Sequence, residues 1–327
     1  MSTYLVTGVA GFIASRVSEM LLDAGHTVLG IDNLNDAYDV HMKEHRLAQL
    51  QGREGFEFVK VDIGNWAELS LQPSVSDRSF DAVINLAARA GVRASMENPW
   101  VYVDTNMTGT LNLLELCQRN GTPKFILAST SSIYGLDAPL PTPETADSSQ
   151  PLQAYAASKK GAEAMVHAYH HLYGIDATVV RFFTVYGPAG RPDMSIFRFI
   201  RWITEGETLH LNGDGTQTRG FTYIDDIARG VIHALQPVGY EIINLGGHES
   251  ISMNALIAMI EQKVGRKASI EYHAFHSADM MANLADVSKA GQLLGWEPAV
   301  GLEEGISRAI EWYNQNRTWA SKLEVGG

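Results

Sequence analysis

A tyrosine and a lysine four residues apart, Tyr155 and Lys159, have types and spacing that suggest chemistry. They lie in the segment 153–163, whose composition predicts a helix, and positions i and i+4 share one face of a helix. An ammonium group held near a phenol favours the phenolate and lowers its pKa from about 10. The spacing therefore predicts that Tyr155 acts as an acid and a base, although such a pair is more often an ordinary packed pair.

A cluster of hydroxyl groups follows the predicted strand 124–128, in the order Ser129, Thr130, Ser131 and Ser132. Ligands of a parallel sheet bind beyond the carboxyl ends of its strands, so these hydroxyls are expected beside the substrate. A hydroxyl next to Tyr155 can relay or orient the proton that a phenolate takes from an alcohol. Each of the four can equally serve only to satisfy the backbone groups of a turn.

The beginning of the chain predicts an element that would position a nucleotide. A β-rich run over 3–7 leads into Gly8 and Gly11 and a helical pattern, and a second strand over 27–31 ends at Asp32. This order is a dinucleotide-binding fingerprint, in which Gly8 permits a tight turn and Gly11 lets the backbone approach the pyrophosphate at a helix N-terminus. Asp32 would hold the ribose hydroxyls and repel a 2′-phosphate, which favours NAD over NADP.

The cofactor site is expected to extend to the ends of the following strands. A strand predicted over 56–61 ends at Asp62, which would contact adenine, and a buried strand is predicted over 82–86. The other residues assigned to the NAD site are Phe12, Ile13, Asn33, Ile63, Leu86, Ala87 and Ala88, together with Tyr155 and Lys159.

Strands alternate with helical patterns through most of the chain, which predicts an α/β fold with a Rossmann-like, doubly wound parallel sheet. Helices are expected near 100–119 and 155–173. After residue 187 the alternation fades, which indicates a smaller, partly interwoven C-terminal substrate domain. The predicted division is a NAD-binding Rossmann domain over 1–186, joined by parts of 220–250, and a substrate domain over 187–327.

The composition excludes several classes of protein. The 327 residues are 45% hydrophobic and 19% charged, as in ordinary globular proteins, and the net charge of −12 comes without a basic run that could bind nucleic acid. No apolar run is long enough to cross a bilayer, so no membrane partner is expected. The single cysteine, Cys117, lies in an apolar pattern and is predicted to be a buried thiol. This lone cysteine and an N-terminus without a signal-like pattern favour the cytoplasm as the location of the protein.

The histidines suggest no metal site. His167, His170 and His171 stand on one predicted helix, but the nearby sequence does not complete a set of ligands at metal spacing. A solvated helix face is the simpler interpretation, and hydride transfer needs no metal.

Several of these motifs together resemble those of a known family. They are Gly8-x-x-Gly11-x-x-Ala14, Asp32, Asn85-Leu-Ala-Ala, Thr130, Tyr155-x-x-x-Lys159 and Arg181-Phe-Phe. The set resembles the extended short-chain dehydrogenase/reductases, the group of nucleotide-sugar epimerases and dehydratases, over nearly the whole chain. The stretches 32–38, 87–93 and 181–194 are most similar to the UDP-glucuronate 4-epimerases.

The resemblance implies an isomerase that inverts C4 of a UDP-uronic acid by transient oxidation. Tyr155 would remove the proton of the C4 hydroxyl with the help of Thr130. Hydride would pass from C4 to NAD and return to the other face of the 4-keto sugar. The resemblance also implies a homodimer through helices near 100–119 and 155–173. The apolar residues available for such an interface are Met107, Leu111, Leu114, Met165, Val166 and Tyr169.

The resemblance further implies contacts with the anionic parts of the substrate. Arg219 lies in a segment that in the family places an arginine near the substrate diphosphate, and Arg93 and Arg191 are further candidates for binding substrate anions. Asp279 is assigned to the substrate as well, although the turn that precedes it, including His276, differs from the commoner one of the family.

Three neutral hydroxyls discriminate between members of the family. Ser131 and Ser132 stand where relatives that eliminate water or CO2 carry acids, and Thr184 stands where simple hexose epimerases usually have asparagine. We hypothesise that these hydroxyls hydrogen-bond the substrate carboxylate and so prevent the β-keto acid intermediate from losing CO2.

Other functions remain open at this point. A UDP-glucuronate decarboxylase and a neutral UDP-hexose 4-epimerase share the same machinery, and Ser132 and Thr184 argue against them. A non-catalytic NAD-sensing protein could use the same fold, because fold does not fix function. The presence of the complete set Thr130, Tyr155 and Lys159 argues against that role.

Overall fold

Twelve strands and thirteen α-helices make up the computed structural model, which describes residues 1–247, 249–275 and 280–325. The strands are β1 (Thr3–Thr7), β2 (Thr27–Asp32), β3 (Phe56–Lys60), β4 (Ala82–Asn85), β5 (Lys124–Thr130), β6 (Asp176–Phe182), β7 (Thr184–Tyr186), β8 (Thr208–Asn212), β9 (Thr218–Tyr223), β10 (Tyr240–Leu245), β11 (Ser250–Ser252) and β12 (Ser269–His273).

The helices alternate with the strands in the first half of the chain and predominate in the second. They are α1 (Phe12–Asp23), α2 (Val40–Leu50), α3 (Trp66–Ser70), α4 (Pro73–Ser76), α5 (Ala94–Glu97), α6 (Trp100–Tyr102), α7 (Gly109–Asn120), α8 (Ala154–Tyr173), α9 (Ser195–Glu205), α10 (Ile224–His233), α11 (Met253–Val264), α12 (Ser288–Leu294) and α13 (Leu302–Ala320). A π-helix spans Val103–Thr108 and a 3-10 helix spans Ser131–Tyr134.

Seven strands form one parallel sheet in the order β10-β6-β5-β4-β1-β2-β3. All residues of β4 and β5 are buried, as expected for strands covered by helices on both faces. The chain leaves β3 at one edge and returns to β4 on the other side of β1, so the strand order reverses between β1 and β4. This arrangement confirms the predicted doubly wound α/β fold, and its ligand crevice is expected beyond the carboxyl ends of these two strands.

The remaining strands form two small sheets beside a second core. One sheet has the order β11-β9-β7 and the other pairs β12 with β8. Helices α9, α11 and α13 contribute buried apolar side chains such as Ile200, Leu256 and Tyr313 to this core. Within the part of the chain that is described, no helix is both long enough and apolar enough to cross a membrane.

The helix predicted near 100–119 is interrupted. Its middle is the π-helix, where the Asn106 side chain accepts a hydrogen bond from the Arg89 backbone N–H and donates to the Arg89 carbonyl and the Ser158 hydroxyl. These contacts hold Asn106 between the segment that follows β4 and helix α8, and π-helical turns frequently occur at functional sites. Cys117, in the α-helical part that follows, is buried as predicted.

Candidate active site

Three residues on one face of α8 contact three successive residues at the end of β5. The Tyr155 phenol is hydrogen-bonded to the Thr130 hydroxyl. One helical turn later the Lys159 ammonium donates to the Ala128 carbonyl at 2.9 Å, and one turn after that Glu163 accepts from the Ser129 hydroxyl at 2.6 Å. The spacing of four residues places these side chains in a row, and the strand fixes the position of the helix through them.

Burial dominates the ionisation of both Tyr155 and Lys159. It raises the pKa of the Tyr155 phenol above its ordinary value, while the hydrogen bond with Thr130 and the positive charge of Arg191 act in the opposite direction. It lowers the pKa of Lys159 to about 8, against the influence of the Glu163 carboxylate. The expectation that the i, i+4 spacing would give a lowered phenol pKa is therefore not met, because desolvation outweighs the neighbouring charges.

The turn after β1 closely approaches the end of β4. Gly8 has φ of +69°, a conformation that L side chains rarely adopt, and a Cβ placed there would lie 2.7 Å from the Cα of Ala87. A Cβ at Gly11 would lie 2.8 Å from the Gly8 carbonyl oxygen. Because Gly11 has no side chain with which to cap α1, the first N–H groups of that helix are suited to the oxygens of a phosphate.

The end of β2 carries the carboxylate that the sequence assigned to the ribose. Asp32 is buried, and its carboxylate accepts hydrogen bonds from the backbone N–H groups of Ala10 at 3.1 Å and Leu34 at 2.7 Å. Asn33 donates to Asp62 at 2.7 Å, so these two residues of the predicted NAD site adjoin each other. The glycine turn and these groups together fit a dinucleotide.

The other residues assigned to the cofactor follow the carboxyl ends of β1, β3 and β4. Phe12 and Ile13 open α1, and Ile63 is buried against Gly109. Leu86, Ala87 and Ala88 follow β4, and the Ala87 backbone N–H donates to the Thr7 hydroxyl at 3.1 Å.

The hydroxyls assigned to the substrate lie at the ends of two paired strands. Thr130 pairs in register with Phe182, and Thr184 follows two residues later in β7. The Thr130 hydroxyl donates to the Ser132 hydroxyl at 3.2 Å, and the Ser131 hydroxyl accepts from the Asn283 side chain at 3.1 Å. A cavity next to this region is lined by Thr184 and Arg191 among other residues.

The arginines assigned to substrate anions occupy different parts of the structure. Arg191 binds Asp193 through two hydrogen bonds of 3.0 and 2.6 Å, and its charge acts on Tyr155. Arg219 donates to the backbone carbonyl of Thr218 at 2.8 Å. With the Asn212 amide turned so that its oxygen faces the guanidinium, Arg93 donates to that oxygen at 3.0 and 3.2 Å. Asp279 and His276 lie outside the described residues.

Known proteins resemble this chain along nearly its whole length. The sequence pattern of the NAD dependent epimerase/dehydratase family matches residues 4–246. The chain belongs to this family. NAD is accordingly its cofactor, in agreement with the glycine turn and the buried Asp32.

Individual members of the NAD dependent epimerase/dehydratase family are similar over almost the same span. A UDP-glucuronate 4-epimerase of Thermodesulfobacterium geofontis is 58% identical over 326 residues, 99% of this chain and 100% of the relative. UDP-glucuronate 4-epimerase 4 of Arabidopsis thaliana is 39% identical over 330 residues, 95% of this chain and 75% of the relative. A crystal structure of the Bacillus cereus UDP-glucuronic acid 4-epimerase with UDP-glucuronic acid and NAD has a TM-score of 0.89 and 37% identity, and covers 96% of this chain and 99% of that one.

Sequence reasoning missed several polar groups that hold the site of this family member. Glu163 and Arg181 form a buried ion pair with hydrogen bonds of 2.9 and 2.7 Å, and Asn106 and Asn283 hold backbone and hydroxyl groups of the site. Two of these groups had a signal in the sequence: Glu163 lies eight residues after Tyr155 on the same helical face, and Arg181 begins one of the motifs that resemble the family. The partner of each group comes from a distant part of the chain.

Proposed function

We propose that the protein interconverts UDP-glucuronate and UDP-galacturonate by NAD-dependent epimerisation at C4. The observation that carries this proposal is the 58% identity with a UDP-glucuronate 4-epimerase over 99% of the chain. The contact between Tyr155 and Thr130 and the row of side chains on α8 support it.

Bound NAD would accept a hydride from C4 and return it to the opposite face of the 4-keto sugar. Tyr155 would take the proton of the C4 hydroxyl, and Thr130 would orient that proton through its hydrogen bond to the phenol. For this step Tyr155 must start as the phenolate, and Lys159, when protonated, would stabilise the negative charge that the phenolate carries before it takes the proton. After the sugar has turned, Tyr155 would give the proton back to the oxygen at C4.

The carboxylate of the sugar would be held by neutral hydroxyls. The Ser131 hydroxyl accepts a hydrogen bond from Asn283, and a hydroxyl that accepts one hydrogen bond still has its own proton to donate. We propose that Ser131, Ser132 and Thr184 hydrogen-bond the carboxylate and keep its bond to C5 out of line with the carbonyl at C4. Loss of CO2 needs that alignment, so these contacts would protect the intermediate.

Arginines are the candidates for neutralising the anionic diphosphate of the substrate. Arg191 is the best supported of them, because its charge acts on Tyr155. Arg93 and Arg219 remain candidates for the diphosphate, and the proposed role of Asp279 concerns a residue outside the described ranges. We propose two domains. Residues 1–186 with parts of 220–250 would bind NAD, and most of 187–327 would bind the UDP-sugar.

The test is to incubate the purified protein with UDP-glucuronate, with and without added NAD, and to follow the sugar C1 and C5 protons by NMR. We expect UDP-galacturonate to appear up to a plateau without a UDP-pentose. A UDP-pentose would identify a decarboxylase, activity only on neutral UDP-hexoses would identify a hexose epimerase, and no reaction with either would favour an NAD-sensing protein.

A matched pair of variants separates catalysis from folding. Y155F removes the acid and base and is expected to lower kcat by about 10²–10⁴. Y173F changes an exposed tyrosine on the same helix and should retain the activity of the unaltered protein. Equal activity in both variants would contradict the role proposed for Tyr155.

We also propose a homodimer through α7, α8 and the segment before them. Leu114, Val166 and Tyr169, predicted for the interface, are buried inside the chain, because they pack in the core against the sheet. Trp100, which is 76% exposed, and Leu172, which is 65% exposed, offer apolar surface on these elements instead. Light scattering should give a dimer for the unaltered protein and a monomer for W100E/L172E.

We further propose that the protein acts in the cytoplasm, where its lone thiol would stay reduced.

A further inference from the structure

The small sheet formed by β8 and β12 brings together three side chains that have no part in the proposed reaction. His210 on β8 pairs in register with Glu271 on β12, and His273 lies two residues further along β12. Residues two apart in a strand point to the same face of a sheet. The three side chains therefore meet on one face of the sheet, although His210 and His273 are 63 positions apart in the sequence.

The distances between their polar atoms suit a single metal ion. His210 Nδ1 lies 3.1 Å from His273 Nε2, and Glu271 places Oε2 at 3.6 Å from the former and Oε1 at 3.6 Å from the latter. Ligands about 2.0–2.1 Å from a tetrahedral zinc ion are separated from one another by roughly 3.3–3.4 Å. The observed distances lie on both sides of that value, so small rotations of the side chains would complete the geometry.

The strands that carry these side chains are themselves held in place. Leu209 and Leu211 of β8 are buried in the second core, so His210 projects from an anchored strand. The ring of Trp202 packs edge-on to His210, with the ring centres 5.6 Å apart. The opposite face of the cluster is open, because its three side chains are 42–57% exposed.

We propose that His210, Glu271 and His273 bind a divalent transition metal ion, with zinc as the ion that this ligand set favours. Two imidazoles and one carboxylate form an established type of zinc ligand set, and the exposed side would leave the fourth position to water. The ion would join β8 to β12 through bonds to three side chains, in addition to the pairing of the two strands. The competing arrangement is a hydrogen bond between the two rings, without affinity for a metal.

The test is a zinc titration of protein without a histidine tag, in competition with a chromophoric chelator. We expect one ion per chain, and we expect H273A and E271Q to weaken its binding by at least about tenfold, since even loss of a group that only orients a ligand has that effect. H41A is the matched control, because His41 is an exposed histidine beside a carboxylate, Asp39, outside the cluster. Similar zinc binding by H273A and the unaltered protein would overturn the proposal.

A second measurement reports on the link between the strands. An ion that binds only the folded state raises its stability, so zinc should raise the Tm of the unaltered protein and of H41A. E271Q should show a smaller rise in Tm at the same zinc concentration, because its weakened site binds less of the ion. Cobalt in place of zinc should give the visible absorption of a tetrahedral site in the unaltered protein. An equal Tm shift in E271Q, or a cobalt spectrum that H273A leaves unchanged, would contradict a site built from these three residues.

Discussion

Replacing Glu163 by glutamine tests how the catalytic helix is held. Glu163 and Arg181 are each 2% exposed and are joined by two hydrogen bonds of 2.9 and 2.7 Å. Neutralising one partner of such a pair leaves a buried charge without compensation, which typically costs about 3–5 kcal/mol. Glutamine keeps the shape and one acceptor, so we expect E163Q to lower the free energy of unfolding by about 3 kcal/mol.

Urea unfolding at pH 7, followed by tryptophan fluorescence, measures this change. The double variant E163L/R181M should recover most of the loss, since apolar side chains often replace a buried ion pair at little cost. K160Q is the matched control: Lys160 also lies near Glu163, at 3.4 Å, but is partly exposed and should contribute less than about 1 kcal/mol. A loss below about 1 kcal/mol in E163Q would refute the argument.

The same substitution has a consequence for catalysis. The Glu163 carboxylate favours the protonated form of Lys159, against the effect of burial, and the pKa of Lys159 is lowered to about 8. Without that carboxylate the pKa of Lys159 should fall further. If activity requires protonated Lys159, the alkaline limb of the kcat profile moves to lower pH in E163Q. An unchanged alkaline limb would show that Lys159 does not govern it.

Three further substitutions test other parts of the site. G8A places a Cβ 2.7 Å from the Ala87 Cα at φ +69°, so we expect weaker NAD binding and a loss of more than about 1 kcal/mol, measured by calorimetry and urea unfolding. K159M should abolish turnover. It should also stabilise the protein at pH 7 by up to about 3 kcal/mol, because burial lowers the pKa of Lys159 from 10.5 to about 8 and the charged lysine therefore destabilises the folded state. That gain should be present below about pH 8 and disappear as the pH rises towards 10.5; a constant difference would contradict its origin in Lys159. T184V should slow epimerisation and increase CO2 release, and a variant that does neither would remove support for carboxylate binding by Thr184.

The fold could be predicted because its signals are local. The glycine turn, the helix and Asp32 follow one another within a single βαβ unit, and the buried strands read as continuous apolar runs. Tyr155 and Lys159 were identifiable for the same reason, since helical spacing alone places them on one face. Whether burial or charge would decide their pKa values depends on the packed surroundings, and spacing carries no information about those.

The remaining features depend on contacts between distant segments. The π-helix Val103–Thr108 keeps the apolar period of the surrounding helix, and it is the side chain of Asn106 that meets Arg89 and Ser158. The pairing of β8 with β12 joins two short strands with only partly apolar sequences. Neither arrangement leaves a local pattern, so the sequence predicted a continuous helix and left the cluster on β8 and β12 undetected.

The row of side chains on α8 explains why the Glu163 carboxylate can lie so close to Tyr155 and Lys159. Burial favours the neutral forms of both Tyr155 and Lys159. In the proposed mechanism the phenolate of Tyr155 needs Lys159 to keep its proton. Glu163, one turn beyond Lys159, favours that proton. Its own charge is balanced by Arg181, so it does not add a full negative charge to a site that must also accept an anionic sugar. The ion pair therefore fixes α8 against β6. In the proposed mechanism the same carboxylate also keeps Lys159 able to support Tyr155.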